Sequence, residues 1–515
     1  MNLLGPIATM YLRRIERWLR RAAEDPVRAQ QRVLERLVGR AAGTWFGRAH
    51  DLASVSSPAD LARAVPIGDH AAWLPLIERM WQGEPDVSWP GRVRTFARTS
   101  GTTAGDKRIP VTRDLKRSNF RGGLAVFTGC ERVERGLFTR ILDGQLLLLG
   151  ATVALDPTGH GGRVGHLSGI SANWIPKIFR RWYEPGWAIA RLKDWPQRIE
   201  ATARRIAGVD LRFVTGIPSW TKVLFDRVCE LRGLAPEGGL SEVWPNFLVY
   251  VHWGTNFDPY RSAFERYFRP GHKVIYLDSY SASEGFIATQ VEAGAGGMDL
   301  FVENGLFFEF VPLEEWGKPG ARRLWIGQVE TGVPYCLLVS SNAGLWGYDF
   351  GDVVRFTSLK PPRIVFAGRH EEYMNAFGEH VVGEQISAAV AHAADSTAAR
   401  VRAFTVGPRF PAAGRPLGGH EVVVEFERPP AAGLHEFAAA MDRALAAANN
   451  SYADKRRGNL GMTPPHVVPV PTGTFHAWLE ERGRVGAQYK VPVCADDRRY
   501  VDELLKTAAA RTAAS

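Results

Sequence analysis

The stretch Thr99–Gly105 packs four small hydroxyl residues and two glycines into seven positions, and Lys107 and Arg108 follow it. Backbone N–H groups and the hydroxyls of Ser100, Thr102 and Thr103 suit a polyphosphate, and Gly101 and Gly105 let the backbone approach it closely. The spacing is not that of a Walker loop, which places four residues between its glycines and a Lys-Ser/Thr pair directly after. Here three residues separate Gly101 from Gly105, and Asp106 precedes Lys107. Strand-like segments flank the loop on both sides.

Four further stretches carry candidate chemistry. In "YLDSYSASEGF" (Tyr276–Phe286) a strand ends in small hydroxyl residues and then Glu284. A carboxylate beside phosphates makes sense chiefly as a Mg²⁺ ligand, since the metal cancels their repulsion. In "NAGLWGYDFGDVVRF" (Asn342–Phe356), Gly351-Asp352 enters a strand, and a carboxylate at a strand end suits the two hydroxyls of a ribose. "VFAGRHEEYMNAFGEHVVGEQ" (Val365–Gln385) has histidines and carboxylates without HExxH spacing, and reads as a polar hinge between domains. "GRVGAQYKVPVC" (Gly483–Cys494) places Lys490 near the C-terminus. Taken one at a time, these stretches also read as a plain turn, an exposed acid, a hairpin turn, a hinge and a solvated lysine.

Several elements must position these residues. At 515 residues the chain is long enough for two or three cores, and its 45% hydrophobic and 23% charged content is that of a soluble globular protein. No apolar run reaches the roughly 18 residues that a membrane span needs. "ILDGQLLLLGATVAL" (Ile141–Leu155) reads instead as buried strands. Four widely spaced cysteines with no CxxC pair argue against a disulfide framework or a zinc site and for a reducing cytoplasm. The net charge of +10 suits an anionic ligand, and no basic patch interleaved with aromatics points to nucleic acid. The N-terminus, with arginines after a short apolar start, reads as a basic amphipathic helix, either capping the large domain or lying on a membrane surface.

From Asp25 to Trp89 the pattern is helical, and from Arg94 strands alternate with helices. "VDLRFVTGIPSWTKVLFDRVCELRG" is one such unit: a strand at Leu211–Val214, a turn, and a helix capped by Ser219 and closed before Gly233. From Leu306 to Phe366 the pattern is purely β. A compact α+β unit follows, ending in an Ala-rich tail after Lys506 that reads as frayed. The expected fold is α/β: a large N-terminal domain of mixed sheets and helices with a β-rich subdomain over 1–367, and a small mobile C-terminal α+β domain over 368–515.

In this order the stretches resemble the adenylate-forming superfamily and, within it, the plant auxin-responsive acyl-acid amido synthetases (the Gretchen Hagen family) and their bacterial relatives. "VPIGDHAAWLPLIERMWQGE", "TSGTTAGDKRIP", "WPNFLVYVHWGTNF", "YSASEGF", "LFFEFVP", "NAGLWGYDFGDVVRF", "GTFHAWLEERG" and "QYKVP" follow in family order. The last pair, a Gly-Thr-Phe strand end and Gln-Tyr-Lys-Val-Pro, is not general to acyl-CoA ligases.

The resemblance implies an AMP-forming ligase that uses ATP and Mg²⁺. It would adenylate a small carboxylic acid and transfer the acyl group to an amine, that of an amino acid. An acyl-CoA ligase sharing the first half-reaction is the alternative. By resemblance, Ser100, Gly101, Thr102, Thr103, Gly105 and Lys107 would hold phosphates, and Tyr280 and Ser283 would line adenine and the α-phosphate. Glu284 would ligate Mg²⁺, Asp352 would bind ribose, and Arg369 would sit at the hinge. Lys490 would reach the α-phosphate from the small domain. A cytoplasmic monomer without nucleic-acid partners or transmembrane segments is implied. The acyl pocket would draw on "ATVALDPTGHGGRVGHLSGISANW" and "TGIPSW", with Trp174 and Trp220. There His160 and His166 read either as helpers in amine deprotonation or as surface-loop histidines. One departure stands out: where the family has Tyr-Arg-x-Gly-Asp, this chain has Tyr348-Asp349-Phe350-Gly351-Asp352.

Overall fold

Apolar residues at helical spacing fill the segment before Trp89, and it folds as helices Leu4–Glu24, Pro26–Ala41, Pro58–Ala64 and His70–Trp81, with shorter pieces between. Three of the four open on side-chain caps. Asp25, Ser57 and Asp69 accept the backbone N–H of Arg28, Asp60 and Ala72, and Pro26 and Pro58 occupy first-turn positions that need no N–H. The basic helix Leu4–Glu24 buries Leu12, Ile15 and Ala22 and leaves Arg13, Arg14, Arg17, Arg20 and Arg21 exposed.

The computed structural model describes residues 4–100, 106–254, 257–292, 296–370, 372–374, 376–377, 379, 381–410, 417–456, 462–482 and 491–514. It divides into two units, residues 1–350 with 354–365, and 351–353 with 366–515.

The strands up to Arg369 make two sheets. The smaller holds β1 (Thr95–Ser100), β2 (Asp106–Pro110), β4 (Asp156–Pro157) and β5 (Arg163–Gly165), in the order β2-β1-β5-β4. β1 and β2 are an antiparallel hairpin, whereas β1 and β5 run parallel.

The larger sheet has a parallel half made of β3 (Gln145–Leu148), β6 (Tyr183–Glu184), β7 (Leu211–Gly216), β8 (Val249–Trp253) and β9 (Ile275–Ala282). β10 (Gly285–Thr289) returns antiparallel to β9, and β11 (Met298–Leu300) antiparallel to β10. β12 (Leu306–Pro312), β13 (Leu324–Trp325), β14 (Pro334–Ser341), β15 (Tyr348–Leu359) and β16 (Pro362–Arg369) complete it. Its twelve strands lie in the order β13-β12-β14-β15-β16-β11-β10-β9-β8-β7-β3-β6. Every residue of β12 is buried, as befits a strand covered on both faces.

The helix Arg113–Val133 lies against β10, and glycines allow the close approach. A Cβ on Gly122 would stand 2.5 Å from the Phe286 ring, and one on Gly129 would stand 2.8 Å from the Gln290 carbonyl oxygen. Gly122→Ala should therefore destabilise the protein by about 1–3 kcal/mol, the cost of overpacking a filled site. An unchanged denaturant midpoint would show that the helix is not seated on β10.

In the second unit, β17 (Tyr373–Met374) pairs with β18 (Val381–Val382), and β19 (Arg400–Arg409), β20 (Gly419–Arg428) and β21 (His466–Val470) form a three-stranded sheet. The period of two sorts its core. Val422 and Val424 pack under helices Gly383–Ser396 and Leu434–Ala448, while Val423 joins Phe475, Trp478 and Leu504 on the other face. Glu379 and His420, both fully buried, bond each other at 3.0 Å.

Four local expectations are corrected. Between Ile141 and Leu155 the one strand is Gln145–Leu148; Ile141 and Leu142 end a helix. The helix after β7 starts at Pro218 with Ile217 as its cap, so Ser219 lies inside the first turn. Gly473-Thr474-Phe475 opens the helix Thr474–Glu480 rather than ending a strand, because Gly473 has φ +86° and Glu425 accepts the N–H groups of Gly473 and Phe475. The tail after Lys506 continues the helix Arg499–Ala514, held by the buried Thr507 and Ala508. Among the described residues no helix is long and apolar enough to cross a membrane. All four cysteines are free and buried, and burial pushes the Cys130 thiol up to about 12.

Candidate active site

β8 runs parallel to β9, with Trp253 opposite Ser279, and β10 then turns back with Gly285 opposite Ala282. Ser283 and Glu284 are thus the two loop residues of a tight hairpin. They stand at the carboxyl end of β9, where the sheet changes from parallel to antiparallel. Open α/β sheets bind ligands outside the carboxyl ends of their strands. Gly285 is needed there, since a Cβ would meet the Leu306 side chain at 2.7 Å. Glu284 is 7% exposed, and Tyr280 packs half-buried against the main core. The fold therefore brings Tyr280, Ser283 and Glu284 together on one hairpin.

A neighbouring pair escaped the sequence reading. His252, last but one in β8, is buried and stacks on Phe257 with ring centroids 4.2 Å apart. Its Nδ1 lies 3.3 Å from Oδ1 of Asp278, its register partner on β9. "VHW" and "LDS" carry no local signal of that pairing.

Ser100 ends β1 and Lys107 lies on β2, in the register Ser100–Asp106 and Thr99–Lys107. Gly101, Thr102, Thr103 and Gly105 lie outside the described residues. The helix His70–Trp81 supports this hairpin. His70 Nε2 accepts the N–H of Arg108 at 3.3 Å, and Arg108 in turn bonds Glu78 at 2.8 Å and lies over the Trp81 ring. Burial, and then the charge of Lys107, hold the His70 imidazole below its ordinary value.

Asp352 lies within β15, neither at a strand end nor in a hairpin turn. Gly351 before it has φ +90°, a conformation that favours glycine, and its carbonyl accepts the N–H of His370. Arg369, at the end of β16, donates from Nε to Asp352 Oδ1 at 3.2 Å. The Asp352 side chain is 13% exposed. Two residues that the sequence placed separately, a ribose carboxylate and a hinge arginine, are thus in contact, and the guanidinium orients the carboxylate. Asp349, the departure from the family pattern, is 8% exposed, and its N–H bonds the Gly68 carbonyl. Lys490 lies outside the described residues.

Among the described residues no group of three or more His, Cys, Asp or Glu side chains is placed to hold a metal ion by itself. A largely buried carboxylate such as Glu284 fits the other kind of site, in which a hard cation takes one or two carboxylates and completes its shell with substrate phosphates and water.

The fold is that of adenylate-forming ligases. It is similar to the solved GH3.15 acyl acid amido synthetase, with a TM-score of 0.74 at 18% identity over 94% of each chain. It is also similar to 2-hydroxyisobutyryl-CoA ligase in its postadenylation state, with a TM-score of 0.57 at 13% identity over 93% of this chain and 91% of that one. Three family models match in order: the GH3 family N-terminal domain over residues 15–135, the central domain over 300–369 and the C-terminal domain over 384–499. The chain belongs to the GH3 family.

Among curated relatives, indole-3-acetic acid-amido synthetase GH3.3 of Arabidopsis thaliana is 23% identical over 278 residues, which are 50% of this chain and 45% of the relative. Indole-3-acetic acid-amido synthetase GH3.10 of the same plant is 27% identical over 293 residues, 52% of this chain and 48% of the relative. The chain spans about half the length of these two relatives.

Proposed function

We propose that the protein is an ATP-dependent acyl-acid amido synthetase that joins a small carboxylic acid to the amine of an amino acid. The observation that carries this reading is the buried Glu284 at the carboxyl edge of the parallel strands, in a chain matched by the family's three domain models in order. In the first half-reaction a substrate carboxylate oxygen attacks the α-phosphorus of ATP and pyrophosphate leaves. In the second, an amine attacks the acyl carbon and AMP leaves.

A carboxylate is a poor acyl donor, so the residues act mainly by alignment and charge. Ser100, Gly101, Thr102, Thr103, Gly105 and Lys107 hold the phosphates. Tyr280 and Ser283 line the adenine and the α-phosphate, and Asp352, oriented by Arg369, accepts from the ribose hydroxyls. Glu284 would hold Mg²⁺, which when bound would neutralise phosphate charge. Lys490 supplies the cation that meets the charge developing on the α-phosphate. The reading carries with it a large domain over 1–367 and a small mobile domain over 368–515. It also carries a cytoplasmic monomer, the four free cysteines being in keeping with a reducing compartment.

ATP–pyrophosphate exchange screened over carboxylic acids, followed by an acceptor screen, tests the reading. Amides formed with amino acids support it, and a thioester formed with coenzyme A would make the protein an acyl-CoA ligase instead. Asp352→Ala should raise the ATP KM about tenfold with kcat nearly kept, the scale of one lost hydrogen bond to a charged group. A fall in kcat alone would remove Asp352 from the ribose.

A further inference from the structure

The amide-forming half needs a step that none of the residues above performs. An amino acid is an ammonium ion at neutral pH, without a nitrogen lone pair, and must lose a proton before it can attack. We propose that His166 takes that proton, an inference that rests on the amido synthetase reading.

Gly165, the last residue of β5, stands opposite Ala97 of the parallel strand β1. His166 therefore leaves the sheet at the same edge at which β1 runs on to Ser100. Its tautomer is set by the backbone: His166 Nδ1 lies 3.1 Å from the carbonyl oxygen of Arg98. A carbonyl can only accept, so Nδ1 carries the hydrogen and Nε2 holds the lone pair, the form a general base requires.

Among the described residues, Asp156 on β4 and His166 interact electrostatically, and Lys193 and Arg98 flank Asp156. Lys193 bonds Asp156 at 2.7 Å, and Arg98 lies 3.9 Å from it. Lys193 first, then Arg98 and His166, hold the Asp156 carboxyl below the usual range, so an anion faces the imidazolium as it forms. His160 differs: it is exposed in a glycine-rich loop beside Arg92 and Arg94, and its ring makes no hydrogen bond to a described residue.

In the balanced step an ammonium proton passes to His166 Nε2, and the freed nitrogen pair forms the N–C bond while the carbonyl pair moves onto oxygen. As that pair returns, the bond from carbon to the phosphate oxygen breaks and AMP leaves with its electrons. The second N–H proton goes to water, and His166 then releases its own.

Hydroxylamine tests this directly, because it is largely uncharged at neutral pH and needs no base to attack. With the best acid from the exchange screen, His166→Ala and His166→Gln should lower amide formation from an amino acid about 10²-fold, the scale of a lost general base. Hydroxamate formation should change far less, and His160→Ala should leave both products unchanged. Raising the pH toward the amine's own titration should restore much of the amide rate of the His166 variants, because free amine needs no base. Equal loss with both nucleophiles would overturn the proposal in favour of a structural role, and no loss would overturn it outright. Absence of pyrophosphate exchange in the wild-type protein would instead strike down the amido synthetase reading on which the inference stands.

Discussion

Lys490→Ala should slow formation of the acyl-adenylate by about 10²–10³, the usual scale for losing one preorganised electrostatic partner of a transition state. The reason lies in where charge appears. As the carboxylate oxygen closes on the α-phosphorus, negative charge accumulates on the phosphate oxygens, and a fixed cation there stabilises the transition state more than it stabilises bound ATP. The ATP KM should therefore move little, since the contacts proposed for the Ser100–Gly105 stretch, Tyr280 and Asp352 would remain. Aminolysis of a supplied acyl-adenylate should lose far less, because amine attack puts the new charge first on the acyl oxygen rather than on the α-phosphate. Single-turnover kinetics of each half, measured separately, check this. A variant crippled equally in both halves would give Lys490 a structural role, and full adenylation activity would end its candidacy as a catalytic residue.

Glu284→Gln should cost about 10²-fold in adenylation at limiting Mg²⁺, with part of the loss recovered as the metal is raised. The amide keeps the shape of a side chain that is 7% exposed at the tip of the β9–β10 hairpin, so the melting temperature should hold. What is lost, on the proposed reading, is the charge that would tie the cation to the protein rather than to ATP alone. Activity measured against total Mg²⁺ at fixed ATP separates the two. Wild-type activity at limiting metal would remove Glu284 from the site. An equal loss at every Mg²⁺ concentration, with a lowered melting temperature, would assign it to the hairpin's packing.

The order of the motifs was legible in the sequence because each is local. The hydroxyl and glycine content of Thr99–Gly105 marks a stretch suited to anions, and the small hydroxyl residues before Glu284 and Gly285 mark where a strand ends. Both follow from backbone preferences over a few residues. The β-rich run from Leu306 and the α+β texture after Arg369 were legible for the same reason, since periods of two and of 3.6 show within one element. Local signals also misled. Gly473-Thr474-Phe475 after β21 reads as a strand end, but Glu425 on β20 caps it as a helix start. The alanines after Lys506 look frayed until the pairing of their helix with Thr474–Glu480 buries Ala508.

By itself, then, the sequence determined which residue types are on offer: hydroxyls and glycines that suit phosphates, a carboxylate just after β9, and a second carboxylate after Gly351. Tertiary structure alone decided which of these groups touch. Asp352 and Arg369 meet because β15 and β16 are neighbours in the twelve-stranded sheet. His252 meets Asp278 because β8 and β9 pair in one register and not the next, and a slip of one residue would send every side chain to the opposite face. His166 gains its tautomer from the Arg98 carbonyl, 68 residues away in sequence, because β5 adds to β1 in parallel. Such pairings are set by which apolar faces a whole sheet can bury, a sum over distant residues that no short stretch of chain contains.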